Sequence, residues 1–159
     1  MPSDDPHHTQ QDRSADDEFD AGNIVERLEA IVHFLPIFEG SSFSFGEWMR
    51  GNESSGVFTL PFFSESAQAR DFVAAAYRAD WVYPFDWTEW VGTDEAKGLR
   101  NDRACLAQAN EQQLARLLTA CIRADRFNEG ALAADYESGL LTNILRRAAV
   151  LLADHKATR

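Results

Sequence analysis

The residues with the strongest potential for chemistry lie close together in the second half of the chain. Arg123 and Arg126 are three positions apart, so on a helix both guanidiniums lie on one face. Two guanidiniums near a helix end can bind a carboxylate or a phosphate, and a neighbouring carboxylate with a raised pKa can act as general acid or base. Together with the nearby acids they form a candidate anion-binding cluster of Arg123, Asp125, Arg126, Glu129 and Glu137.

The same cluster also has an interpretation that needs no ligand. Arg126 precedes Glu129 by three positions, a spacing at which opposite charges on a helix form pairs. Asp125 or Glu137 could likewise hold arginines and helix ends in place, so that the five residues fix the turn between two helices. The sequence alone leaves both the anion-binding and the structural interpretation open.

A second candidate site is the aromatic-rich segment that precedes this cluster. Phe85, Asp86 and Trp87 lie in its centre and could line a ligand pocket, although aromatic runs at helix junctions also serve as packing. The chain has no GxSxG, HExxH, P-loop or GxGxxG motif, and neither cysteine has a convincing histidine partner. We therefore expect no cofactor and no metal site, and the sequence names no catalytic residue.

Helical periodicity predicts the elements that position these residues. Apolar residues recur at three-to-four spacing in several stretches, which is typical of amphipathic helices. Capping residues predict where the helices begin. We expect starts at Asn23 with Glu26, at Ser64, at Asp86 with Glu89, and at Asn110 with Gln113, followed by two helices between Asn128 and about Ala153 that meet near Gly139.

Two stretches are expected to be less regular. Residues 41–63 are rich in aromatic residues and glycine, and they predict at most a short strand or edge hairpin around residues 55–63. Residues 91–109 look loop-rich, with one turn of helix near Arg103. The predicted fold class is mainly α, a single compact helical domain with a C-terminal helical hairpin or bundle.

The charge of the chain is concentrated at its N-terminus. Residues 1–22 are predicted to be a disordered acidic tail, followed by a single helical domain over residues 23–155. The tail has seven acids and one arginine, so it carries six of the eleven net negative charges. This acidity disfavours binding to nucleic-acid phosphates or to acidic membrane surfaces.

Composition also indicates the environment of the protein. Basic residues are almost all arginine, and this with the excess of acids is typical of halophile proteins, although a GC-rich genome also favours arginine over lysine. No apolar run is long enough to span a membrane, and the N-terminus does not resemble a signal peptide. With only Cys105 and Cys121, we expect a cytoplasmic protein with reduced thiols.

The chain resembles an uncharacterised prokaryotic family, domain of unknown function 6508. The resemblance rests on Phe85-Asp86-Trp87, on the segment 122–132 and on Gly139 followed by Ile144-Leu145-Arg146-Arg147. It covers roughly residues 28–152. The resemblance implies that these motifs are shared features of the family, and it implies no activity.

Three functional hypotheses follow. The first is a non-enzymatic interaction or regulatory domain whose partner is another protein, because catalytic motifs are missing and the middle of the chain is rich in aromatic residues. The second is an enzyme or anion-binding protein that uses the arginine and carboxylate cluster. The third is a nucleic-acid mimic or binder, which the overall charge makes the weakest.

Overall fold

The computed structural model describes residues 19, 22–51, 53–54 and 56–158, and over these residues the fold is mainly helical, as predicted. The helices, in chain order, are α1 (Ile24–Val32), α2 (Leu35–Glu39), α3 (Ala67–Arg78), α4 (Trp87–Trp90), α5 (Asp94–Asn101), α6 (Arg103–Leu106), α7 (Glu111–Asp125), α8 (Ala131–Glu137) and α9 (Leu140–Ala157).

Capping side chains explain where several helices begin. The predicted capping box at α7 forms, with Asn110 and Gln113 each accepting the other's backbone N–H. Asp86 caps α4 by accepting the N–H of Glu89 at 3.1 Å. At α3, however, Ser66 is the cap, whereas Ser64 lies in a strand.

Two local predictions were wrong. Asn23 precedes α1 in a left-handed conformation and its amide donates to the side chain of Glu26, so the capping box predicted there does not form. In the stretch 91–109 the turn of helix expected near Arg103 is confirmed as α6, but residues 94–101, which were expected to be loop, form the helix α5. Thr93 accepts the N–H of Ala96 and caps the start of α5. Because glycine disfavours helix, Gly98 in the middle of α5 made the sequence look like a loop.

The strands form a hairpin that is longer than predicted. Strand β1 (Gly46–Met49) pairs antiparallel with β4 (Phe62–Glu65), with Trp48 opposite Phe63. Between them, β2 (Glu53–Ser54) pairs with β3 (Val57–Phe58). The hairpin therefore reaches from Gly46 to Glu65, and Pro61 lies between β3 and β4, where it takes no part in the pairing.

The core lies where the C-terminal helices pack on each other and on α1. Helices α7, α8 and α9 contact one another, and α1 packs along α9, which confirms the predicted C-terminal bundle. The buried apolar residues form one cluster, and its largest fully buried members include Trp81, Phe45, Phe72, Leu28 and Ile31.

Phe19 lies within the predicted tail and contacts the helical body. Its ring is 5.8 Å from that of Trp81, and the guanidinium of Arg27 lies 4.2 Å above it. Arg27 is itself buried and donates to the carbonyls of Ala79 and Asp80. The rest of the predicted tail, except Gly22, lies outside the described residues.

The structure also bears on membrane insertion. Within the described ranges, every helix is too short or too polar to cross a lipid bilayer.

Candidate functional site

The loop between α7 and α8 contains the centre of the predicted cluster. Asp125 is the last residue of α7, and its carboxylate accepts the N–H of Leu132, the second residue of α8, at 3.0 Å. The residue that precedes α8 is Gly130, which has no side chain to cap the helix. Asp125 therefore supplies from the previous helix the hydrogen bond that a capping residue normally provides.

Glu129 connects this loop to the hairpin. Its carboxylate accepts the backbone N–H of Phe63 in β4 at 2.7 Å. The predicted ion pair between Arg126 and Glu129 does not form, because Glu129 is turned toward the hairpin. The guanidinium of Arg126 has no hydrogen bond or ion pair among the described residues, and it is exposed at the end of α7.

Arg123 lies on the side of α7 that faces α3, which we call the inner side. Its guanidinium is 6.0 Å from the ring of Tyr77 on α3, and the Tyr77 hydroxyl is buried without a hydrogen-bond partner in the described part of the chain. A common fork formed by Arg123 and Arg126 stays a prediction.

Glu65 is a further carboxyl group near Asp125, and the sequence pattern did not indicate it. Burial, and then the negative charge of Asp125, raise the pKa of Glu65 at the end of β4. Glu65 is 60 positions before Asp125 and belongs to a different type of element. No spacing rule in the sequence relates the two acids, so only the fold brings them together.

Glu137 is separate from this group. It ends α8, and its charge adds to the effect of burial in raising the pKa of Tyr136, whose hydroxyl donates to the carbonyl of Phe38. Arg146 and Arg147 are also elsewhere, paired with the carboxylate of Glu39 and with the carbonyl of Ala109. The predicted cluster is thus divided among the inner side of α7, the loop and the end of α8.

The second candidate site is also divided. Phe85 and Asp86 line a small cavity of about 260 Å³ together with Glu89, Trp90, Thr93 and Arg116. The N–H of Glu89 and the hydroxyl of Thr88 hold the pKa of Asp86 below its usual range. Trp87 is not among the lining residues and instead lies against Phe127, with 6.1 Å between ring centroids.

The contact between Trp87 and Phe127 belongs to a larger feature, which we call the aromatic surface and define as Trp48, Trp87, Arg126 and Phe127. Phe127 is 82% exposed and Trp48 is 57% exposed. Trp48 packs against the same loop as Phe127, since a Cβ added at Gly130 would lie 2.8 Å from the Trp48 ring. The hairpin, α4 and the α7–α8 loop each contribute to this surface.

The aromatic surface joins two of the three motifs on which the resemblance to a known family rests, Phe85-Asp86-Trp87 and the segment 122–132. The model of the family of unknown function DUF6508 matches residues 24–154. The chain belongs to this family. The match covers the helical body and assigns no activity, and no curated protein and no solved structure shows significant similarity to the chain.

Metal ligands are a further element of any candidate site. Over the residues that the structure describes, no three His, Cys, Asp or Glu side chains converge closely enough to hold a metal ion.

Proposed function

We propose that this DUF6508 protein is a protein-interaction module that binds its partner through the aromatic surface. The observation that carries the proposal is Phe127, a large apolar side chain that is 82% exposed on a loop fixed at both ends. Asp125 fixes the loop by accepting the backbone N–H of Leu132, and Glu129 fixes it by accepting the backbone N–H of Phe63. The carboxylates of Asp125 and Glu129 therefore hold the loop in place, and the ring of Phe127 is exposed to solvent.

Exposure of such a ring is unfavourable unless a partner covers it. Complete burial of a phenylalanine contributes about 1.5 to 3 kcal/mol, and a loop that is already ordered loses little conformational entropy on binding. Trp and Arg are the residue types that most often dominate binding energy at protein interfaces. Trp48 and Arg126 provide both types on the aromatic surface.

The surface also indicates what the partner must offer. Phe127 requires an apolar pocket, and the exposed guanidinium of Arg126 requires a carboxylate at its rim. Met49 and Phe62 are also exposed on this hairpin, but they are neighbours of Trp48 and Phe63 in the strands and so lie on the opposite face, outside the aromatic surface. We expect the partner to be a protein with an acidic edge around an apolar pocket. The two free thiols suit the reducing cytoplasm as the compartment of this interaction.

Acid–base chemistry at Glu65 and Asp125 is the second candidate function. The raised pKa of Glu65 supports it, because a carboxyl group protonated closer to neutral pH can donate a proton. Two observations weigh against it. Asp125 already accepts the Leu132 N–H, and the cavities found between described residues are lined by other side chains.

Site-specific photo-cross-linking tests the interaction. A photoreactive phenylalanine analogue replaces Phe127 in one variant and Val150 in another, because Val150 is also an exposed apolar residue but lies on α9. In cells, we expect a defined cross-linked protein at position 127, none at position 150, and loss of the product when Trp48→Ala is added. Identical products at both positions, or none at position 127, would contradict the proposal.

A further inference from the structure

Two neighbouring cavities on the side of α9 near α6 form a groove that the aromatic surface does not include. The larger, of about 460 Å³, lies between α5, α6, α8 and α9, and the smaller, of about 250 Å³, lies along α6 and α9. Both cavities are lined by Arg103, Leu106 and Asn143. We call this continuous feature the arginine groove, after its lining residues Arg100, Arg103, Arg146 and Arg147.

The charge of the arginine groove is opposite to that of the chain. The whole sequence has 26 acids and 15 Lys and Arg residues, so an average surface patch is acidic. Among the described residues that line the groove, four are arginines and Asp135 is the one acid. The groove therefore concentrates positive charge in a protein whose net charge is −11.

Several donors in the groove have no protein acceptor. Arg103 is exposed, and its guanidinium forms no hydrogen bond or ion pair within the described residues. Arg147 uses Nε to donate to the Ala109 carbonyl at 2.8 Å, and its two terminal nitrogens have no acceptor in the described part of the chain. Asn143 accepts from Arg146 through its amide oxygen, so its amide nitrogen can still donate.

The other two arginines of the groove, Arg100 and Arg146, have protein partners that hold their side chains in place. Arg100 is held by the carboxylate of Asp135 at 2.7 Å and contacts the Cys121 sulfur at 3.6 Å. Arg146 is held by Glu39 at 2.9 Å. The groove thus combines two fixed guanidiniums with two that have free donors, and guanidinium donors are the groups with which arginine binds phosphate.

The lining of the smaller cavity indicates which chemical group the ligand carries besides its phosphate. Besides arginines and Asn143, its walls are Leu106, Ala107 and the exposed side chain of Val150. The geometry points to a small organic phosphate as the ligand of the arginine groove, with its phosphoryl group between Arg103 and Arg147 and its apolar group against Val150. This site is independent of the aromatic surface and of the interaction proposed for it.

Calorimetric titration of the full chain with phenyl phosphate, inorganic phosphate and benzoate tests this assignment. We expect phenyl phosphate to bind with a Kd of about 1 mM or tighter, inorganic phosphate more weakly because it lacks the apolar group, and benzoate most weakly because it carries less charge. Arg103→Gln should weaken phenyl phosphate binding at least about tenfold, since a charge-assisted hydrogen bond is lost. Val150→Glu should have a similar effect through repulsion.

Arg126→Gln is the matched control, because Arg126 is also exposed and without a partner but belongs to the aromatic surface. Its binding of phenyl phosphate should equal that of the wild type. Absence of phenyl phosphate binding to the wild type at about 10 mM would overturn the assignment. It would also be overturned by benzoate binding as tightly as phenyl phosphate, or by Arg103→Gln binding as tightly as the Arg126→Gln control.

Discussion

The hydrogen bond from Leu132 to Asp125 allows the structural role of the family motif to be measured. Asp125→Ala removes the acceptor and leaves the N-terminus of α8 without any side-chain cap, since the cap position is Gly130. Loss of a capping side chain costs about 1 to 2 kcal/mol. Relief of the repulsion between Asp125 and Glu65 offsets part of this cost, so we expect a net loss of about 1 kcal/mol.

Asp125→Asn separates the hydrogen bond from the charge. The asparagine oxygen can still accept from Leu132, so the loss of stability should be about 0.5 kcal/mol or less, compared with about 1 kcal/mol for Asp125→Ala. Urea denaturation followed by far-UV circular dichroism measures both variants. For a domain of this size, 1 kcal/mol corresponds to a decrease in Tm of roughly 3 to 5 °C.

The pH dependence provides a second measurement on the same variants. In the wild type, the folded-state pKa of Glu65 is above its unfolded value, so the folded state binds the proton more tightly. Stability should therefore decrease as pH rises from the ordinary carboxyl pKa through the raised one. Asp125→Asn should lower the pKa of Glu65 and reduce this decrease. Equal destabilisation by Ala and Asn, or an unchanged Glu65 pKa by NMR, would refute the reasoning.

Two further predictions concern residues outside this carboxyl pair. Gly130→Ala should destabilise the protein by about 1 to 2 kcal/mol more than Gly139→Ala. Both glycines have a φ of +87°, but only at Gly130 would the new Cβ meet Trp48, so Trp48→Ala should remove the difference. Equal Tm values for the two variants would argue against this packing. Burial raises the pKa of the Cys121 thiol, so Ellman's reagent should label Cys105 in the native protein and reach Cys121 only on unfolding. Rapid labelling of both thiols would contradict the structure.

The predictions that succeeded depended on local patterns. The capping box of Asn110 and Gln113 and the Asp86 cap involve residues three apart, and such contacts follow from helix geometry alone. Predictions failed where a residue had a partner distant in sequence. Ser64 has good capping chemistry, but pairing with Glu47 in the hairpin places it in a strand and shifts the start of α3 to Ser66.

The candidate site shows the same contrast between contacts that are local in the sequence and contacts that are distant. The sequence indicated the segment from Arg123 to Glu129 correctly as a place where charged side chains accumulate. It could not indicate that Glu129 would bind Phe63 or that Asp125 would lie near Glu65, because both partners come from a hairpin some 60 residues earlier. The predicted pairing with Arg126 is the natural choice only when no other element competes for the carboxylate.

The sequence by itself therefore determined the helical class, most helix starts, the acidic character and the family. These properties depend on periodicity, composition and neighbours within one helical turn. Only the tertiary structure decided the roles of individual side chains. Whether a guanidinium or an aromatic ring faces solvent depends on which elements pack around it. The packing of these elements leaves Phe127 and Arg126 exposed on the aromatic surface and Arg103 exposed in the arginine groove.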